Sequence, residues 1–166
     1  MKYYIKQKVF SLKDKFTVKD YNDKDVYQVE GKVLSLTNKL KLLKMDGSQA
    51  LSAKKKLFRF LPLYNIYSPH DDELAEIKRL LAFKPKFLVT VGNTEYNVEG
   101  TLFAHSFQIY KDEVEVASIT KKVVSFGDTY EIDILDENNK ELFLFIVIII
   151  DQIVHENKNK KFSINV

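Results

Sequence analysis

An eleven-residue pattern that occurs four times constrains the fold of this chain more than any other feature. Its first copy reads Lys8-Val9-Phe10-Ser11-Leu12-Lys13-Asp14-Lys15-Phe16-Thr17-Val18; the others run from Lys56 to Ile66, Arg79 to Val89 and Lys122 to Ile132. The shared order is one basic residue, two apolar, any, one apolar, three turn-like, an aromatic, any, and a β-branched residue. Pro62, Pro85 and the Gly127-Asp128 pair fall in or beside the turn-like positions. An aromatic followed two residues later by Val or Ile then restarts a period-two face, so each copy reads as a strand end, a turn and a strand start.

The four copies belong to a larger duplication. Tyr27-Gln28-Val29-Glu30-Gly31 lies between the first and second, and Tyr96-Asn97-Val98-Glu99-Gly100 between the third and fourth. With a small slip, Leu40 and Leu42 match Phe107 and Ile109, and Lys54-Lys55 match Lys121-Lys122. Half-repeats over about 1–68 and 71–135 follow, within a single domain spanning 1–166. Each half offers six strand-like stretches. In the first they are Lys2–Phe10, Phe16–Tyr21, Val26–Leu36, Lys39–Met45, Gln49–Phe58 and Pro62–Ser68. In the second they are Glu73–Phe83, Lys86–Gly92, Glu95–Phe103, Phe107–Lys111, Glu113–Val124 and Thr129–Leu135. Twelve strands exceed the roughly ten that an open twisted sheet carries without curling or closing. One stretch conflicts: Leu74, Ile77 and Leu81 have helical spacing after Asp71 and before Pro85. The repeat aligns the same residues with the strand ending at Phe58, and the strand reading is preferred.

The longest apolar run, Leu142 to Ile150, follows the polar turn Asp136-Glu137-Asn138-Asn139. Asn138 and Glu141 have the spacing of a capping box, which favours a helix from there; the Ile and Val content would equally suit a buried strand. Either way the run is apolar on every face and needs apolar surroundings all round. Asp151, Gln152, His155 and Glu156 are expected to mark its emergence into water, and Lys158, Lys160 and Lys161 lead to a short final strand at about 161–166. The run falls short of the roughly 20 apolar residues of a spanning helix, so no transmembrane span is expected. The chain has no cysteine, which removes disulfides and thiolate chemistry together. Met1-Lys2-Tyr3-Tyr4-Ile5-Lys6 lacks the apolar core of a secretory signal. The expected location is cytoplasmic, extending to peripheral contact with a membrane.

Taken together, Tyr27-Gln28-Val29-Glu30-Gly31, Ala75-Glu76-Ile77-Lys78-Arg79, Phe83-Lys84-Pro85-Lys86-Phe87, and Phe126-Gly127-Asp128-Thr129-Tyr130-Glu131-Ile132 before Ile148-Ile149-Ile150-Asp151 resemble the LURP-one-related family. That family belongs with the C-terminal domains of Tubby proteins and the phospholipid scramblases. The resemblance covers nearly the whole chain. It implies a mainly β fold: a twelve-stranded closed β-barrel of two similar six-strand halves around a central hydrophobic C-terminal helix, at about 140–156. It further implies a binding role at lipid surfaces, since Tubby domains bind membrane phosphoinositides through basic surface residues. The shared motifs are turn and core positions, so they speak to fold and carry no binding residue.

Candidate ligand-binding residues therefore come from charge. Lys54, Lys55, Lys56 and Arg59 form the densest basic cluster, with Lys78-Arg79 and Lys121-Lys122 at equivalent repeat positions. Clustered lysines attract phosphate or lipid headgroups; the plainer account makes them solvated guards of strand ends, with neighbours alternating between faces. Net charge is only +3 and interspersed, so no nucleic-acid partner is expected. Pro69-His70-Asp71-Asp72-Glu73 gathers metal-binding residue types without a recognised spacing and reads as a linker. Asp151 and His155, at i and i+4, suit a helix-end role. His105-Ser106 lacks an orienting acid. No metal, cofactor or catalytic residue is assigned. The expected function is a non-catalytic binding or scaffold domain for an anionic phospholipid headgroup, a phosphorylated ligand or a protein partner; the alternative is an enzyme of unrecognised type using loop His and carboxylate groups.

Overall fold

A computed structural model of the chain describes residues 1–6, 15–31, 39–101, 106–124 and 127–163. Its strands are β1 (Lys2–Lys6), β2 (Lys15–Asp20), β3 (Asp25–Gly31), β4 (Lys39–Lys44), β5 (Gln49–Lys55), β6 (Leu63–Tyr67), β7 (Glu73–Arg79), β8 (Lys86–Val91), β9 (Thr94–Gly100), β10 (Phe107–Lys111), β11 (Val114–Val124) and β12 (Gly127–Ile134). They form a closed antiparallel barrel in which every strand pairs with its neighbours in sequence and β1 closes on β12. Closure leaves no strand edge unpaired. One helix, α1 (Lys140–Ser163), follows a short 3-10 turn.

The repeated pattern explains the core directly. The aromatic position of the four copies is Phe16, Tyr64, Phe87 and Tyr130, each at most 3% exposed, and the β-branched position is Val18, Ile66, Val89 and Ile132, each 0% exposed. Tyr27 and Val29 in β3 are matched by Tyr96 and Val98 in β9, all buried. Outside the barrel the duplication is equally literal: Lys15 pairs with Glu30 across β2 and β3 at 2.6 Å, and Lys86 with Glu99 across β8 and β9 at 3.2 Å. A register shift between Leu42 and Leu43 recurs between Ile109 and Tyr110. Gly31 is required by geometry, because its φ is +93° and an added Cβ would stand 2.4 Å from the Lys39 carbonyl oxygen.

The segment 72–83, ambiguous in sequence, is strand: Ala75 and Ile77 are buried at alternate positions of β7. β5, β7 and β9 end earlier than expected, β9 at Gly100; the expected strand ends at Phe10, Leu36 and Phe103 lie outside the described residues. β5 stops at Lys55 and β7 at Arg79, so the residues up to Phe58 and Phe83 lie in connections. Phe58 has a left-handed φ of 61°, which breaks the ladder beyond the Lys56 N–H to Leu63 carbonyl bond. Pro85 has no N–H to donate to a pairing partner.

Inside the barrel, α1 is enclosed from Leu142 to Val154. Each fully buried Leu, Ile, Val or Phe contributes about 1.5–3 kcal/mol. Burial includes Asp151 at 1% and Gln152 at 6%, so the helix does not emerge at Asp151 as expected; the enclosed length, about 20 Å at 1.5 Å per residue, outlasts the apolar run. Nor is there a strand beginning at 161: α1 continues through Lys161 to Ser163, because nothing between Lys140 and Ser163 is Gly or Pro and the lysines are good helix formers. Residues 164–166 of that expected strand lie outside the described residues. The helix start also differs. The cap is Asp136, whose carboxylate accepts from Asn138 N at 3.1 Å and Asn139 N at 3.3 Å. Glu141 is freed from the expected capping box and accepts instead from the Tyr27 hydroxyl at 2.9 Å.

The meander makes the two barrel ends unlike. Connections after even-numbered strands, together with the turn into α1, carry Asp23, Asp46, Asp71, Asp72, Asp112, Glu113, Asp136 and Glu137. The described connections 56–62 and 80–85 stand at the opposite end and carry Lys56, Arg59 and Lys84 with no acid.

Phe143 packs edge-to-face on Tyr96, ring centroids 5.1 Å apart, and is fully buried. Phe143→Ala is expected to lower unfolding free energy by about 3–5 kcal/mol in urea titration. Burial first, then the Glu141 carboxylate, push the Tyr27 phenol well above its usual value. A raised folded-state pKa gives stability that is complete below the ordinary phenol range, near 10, and is lost as pH rises through the folded value. The urea midpoint of the protein should therefore fall above about pH 10, and that alkaline fall should be shallower in Tyr27→Phe.

Candidate functional site

Six of the eight basic residues singled out in the sequence lie on strands, where the register separates them by face, and Lys56 and Arg59 lie in the β5–β6 connection. Lys54 on β5 is opposite Asn65, facing outward, with its Nζ 3.3 Å from Asp71 Oδ1 and 4.6 Å from the Tyr67 ring centroid. Lys55 is opposite buried Tyr64, Arg79 opposite buried Phe87 and Lys121 opposite buried Tyr130. These three therefore share the inward register at the rim of the barrel. Arg79 is partly buried, its guanidinium 5.9 Å from the Phe87 ring centroid, and desolvation lowers its pKa. Lys56 lies 3.6 Å from Glu76, and Lys122 lies 3.9 Å from Glu131. Lys78 is exposed on β7, and Arg59 is exposed in the β5–β6 connection. The eight gather toward one end of the barrel and do not form one patch.

Lys54 lines a recess with other cations. On the outer wall over β4 and β5 is a recess of about 320 Å³ bounded by Lys39, Lys41, Lys54, Gln49 and Ser52, with Leu40, Ala53, Pro69 and Asp71. The hairpin register builds it: Lys39 faces Lys54 and Lys41 faces Ser52 directly across the strands. The β6–β7 connection provides its far side. Asp71 there has a left-handed φ of 66°, and Ser68 Oγ accepts from the backbone of His70 and Asp72. Three ammonium groups and one carboxylate leave the recess net positive. Lys39 and Lys41 have no carboxylate partner among the described residues, whereas Lys54 has Asp71. Beside Lys54 in the same outward row, Asn65 is 1% exposed and neither of its amide atoms has a hydrogen-bond partner within the protein. A second cavity of about 360 Å³, at the acidic mouth, is lined mainly by Leu51, Leu74, Val91, Leu142 and the first residues of α1.

Lys39, Lys41 and Ser52 were not among the sequence candidates. The signal was present in the alternation Lys39-Leu40-Lys41-Leu42, which sends both lysines outward. Placing Lys39 opposite Lys54 needs the hairpin register, including the shift at Leu42 and Leu43. His70 is exposed in a turn, and no group of three His, Asp or Glu able to hold a metal occurs among the described residues. Ser106 belongs to a turn, its carbonyl accepting from Thr101 N at 3.0 Å; His105 and the side chain of His155 lie outside the described residues. Among the described residues no helix is long and apolar enough to cross a membrane.

Residues 1–151 match the family model described as LURP-one-related. The chain belongs to that family. Among LURP-one-related relatives, the uncharacterized protein YxjI of Bacillus subtilis (strain 168) is 31% identical over 158 residues, covering 95% of this chain and 96% of its own. The X-ray structure of the Arabidopsis thaliana protein AT5G01750 shares the fold, with a TM-score of 0.60 over 90% of this chain and 89% of that one, at 18% identity. The LURP-one-related fold thus supplies the barrel and its threaded helix, and the lysine recess is read from this chain's own residues.

Like charges directly opposed across strands are destabilising by roughly 0.2–1 kcal/mol. Lys39→Glu is expected to raise the stability of the free protein by that order, seen as a higher urea midpoint with an unchanged slope.

Proposed function

We propose that this domain is a non-catalytic binding module whose outer-wall recess takes a phosphorylated anion, with anionic phospholipid headgroups as its source. The observation that carries the reading is the Lys39–Lys54 juxtaposition: two ammonium groups set opposite each other, with Lys41 beside them and Ser52 and Gln49 as hydrogen-bond donors. A free protein gains nothing from opposed cations. A phosphate monoester or diester between them converts repulsion into two charge-assisted hydrogen bonds. The recess volume suits a headgroup and not a polymer. The helix fills the interior, and the cavity at the acidic mouth is lined mainly by apolar side chains, with Glu141, which do not suit an anion; the outer wall is the better place for one.

Each lysine near an anionic surface contributes about 1 kcal/mol. Replacing Lys39, Lys41 and Lys54 by Glu should therefore weaken binding by roughly a hundredfold or more. The test is co-sedimentation with phosphatidylcholine vesicles containing graded phosphatidylserine or phosphatidylinositol phosphate, at two salt concentrations, beside calorimetric titration with soluble inositol phosphates. Salt-sensitive binding to vesicles, abolished in the triple variant, supports the headgroup reading. Binding of the soluble phosphate alone moves the source away from the membrane. Equal behaviour of wild type and variant in both assays overturns the assignment of the recess.

A further inference from the structure

We infer that the basic end of the barrel is a membrane-inserting tip, in which the β5–β6 and β7–β8 connections push aromatic and aliphatic side chains into the interfacial layer of an anionic bilayer. The inference rests on the headgroup reading above and adds the docking orientation and an apolar component. Phe58, Phe60, Leu81 and Phe83 are 104%, 96%, 85% and 91% exposed. They sit on two adjoining connections, which the Arg79 N–H to Pro62 carbonyl bond of 3.0 Å ties together. Exposed apolar residues grouped in this way mark an interaction surface, whereas scattered single ones do not. Large aromatic side chains flanked by cations suit the boundary between headgroups and acyl chains.

The backbone supports the same conclusion. Phe58 is held at a φ of 61°, a conformation that a bulky side chain adopts at an energetic cost, with its ring wholly in water. Among the described residues no packing of the ring offsets that cost. Charge selects the occupant. Lys56, Arg59 and Lys84 surround the apolar side chains without an acid in either connection, while the opposite end of the barrel is lined with aspartate and glutamate. An anionic bilayer attracts the first end and repels the second, which orients the barrel axis toward the membrane. Lys39 opens β4 and Lys54 stands one residue before the end of β5, on the tip side of a recess whose far wall is the β6–β7 connection.

The chain contains no tryptophan, so one introduced residue reports alone. The experiment places Phe60→Trp, and separately Tyr21→Trp at the acidic end, in the full chain and adds vesicles of phosphatidylcholine and phosphatidylserine with or without brominated acyl chains. The expected result is a blue shift and bromine quenching for the Phe60 reporter and no change for the Tyr21 reporter. The Phe58→Ser, Phe60→Ser, Phe83→Ser triple variant should lose about tenfold or more in vesicle affinity; because all three side chains are exposed, its urea midpoint should stay near that of wild type. A Phe60 reporter that remains in water on vesicles that sediment the protein overturns insertion and leaves the headgroup reading standing. Absence of wild-type sedimentation at any salt overturns both. A blue shift that appears without vesicles and grows with protein concentration makes the tip a self-association surface and overturns the inference.

Discussion

A helix that is apolar on every side cannot stand in water, and the rest of this molecule follows from enclosing one. Leu142 to Ile150 present Leu, Phe, Val and Ile in all directions, so neither a helix layered on a sheet nor a partner on one side would cover them. A closed wall does, and twelve strands make a barrel wide enough for a helix, a solution shared with eleven-stranded barrels that hold a central helix. The wall must then be apolar inward all the way round. The buried Phe16, Tyr64, Phe87, Tyr130 and their β-branched companions are that lining. Duplicating a six-strand unit is an economical way to produce it, because each half supplies the same inward pattern and the same outward ion pair, Lys15 with Glu30 and Lys86 with Glu99.

Threading also fixes direction. The helix enters at the end where tight Asp-rich turns lie, capped by Asp136 and tied to β3 through Glu141 and Tyr27. It runs toward the end where the longer connections lie. Acidic residues around the N-terminus of a helix complement its dipole, and cations around the far end do the same. Lys55, Arg79 and Lys121 hold the inward register at the rim, short of the helix C-terminus at Ser163. Several of the basic positions that look functional in sequence thus face inward, and the outward set is what remains for a ligand on the wall.

The parts of the structure legible in sequence are those governed by local periodicity and by the repeat. Strand positions, the strand character of β7 against its helical spacing, and the central helix all depend on which residues must face apolar surroundings, and that is written in the order of side chains. Three features depended on competition between alternatives that order alone does not rank. Asp136 outcompeted Asn138 as the cap because its carboxylate reaches two backbone N–H groups at once. The lysines after Val154 extended the helix because no residue there stops it. The second and third positions of the repeated pattern, the apolar Leu57 and Phe58, read as strand by composition and yet stand in connections, where Phe58 turns the backbone left-handed. The lysine recess was hidden for a different reason: Lys39 and Lys54 are fifteen residues apart and become neighbours only through a hairpin register containing a shift.

The same comparison separates what the fold needs from what it merely tolerates. An apolar side chain at an inward position is explained by the helix it covers. Phe60 or Phe83, pointing into water at one end, is explained by nothing inside the barrel, and neither is a pair of lysines facing each other on its outer wall. The aromatics stand in connections without an acid, while the lysines face each other on the wall beside the β6–β7 connection, where Asp71 offsets Lys54 alone; both cost the free molecule something, in hydrophobic hydration or in charge repulsion. Costs of these two kinds are relieved together by a partner that is anionic at its boundary and apolar just beneath it. A bilayer has that layered chemistry, whereas a soluble phosphate relieves only the lysines and an apolar protein groove only the aromatics.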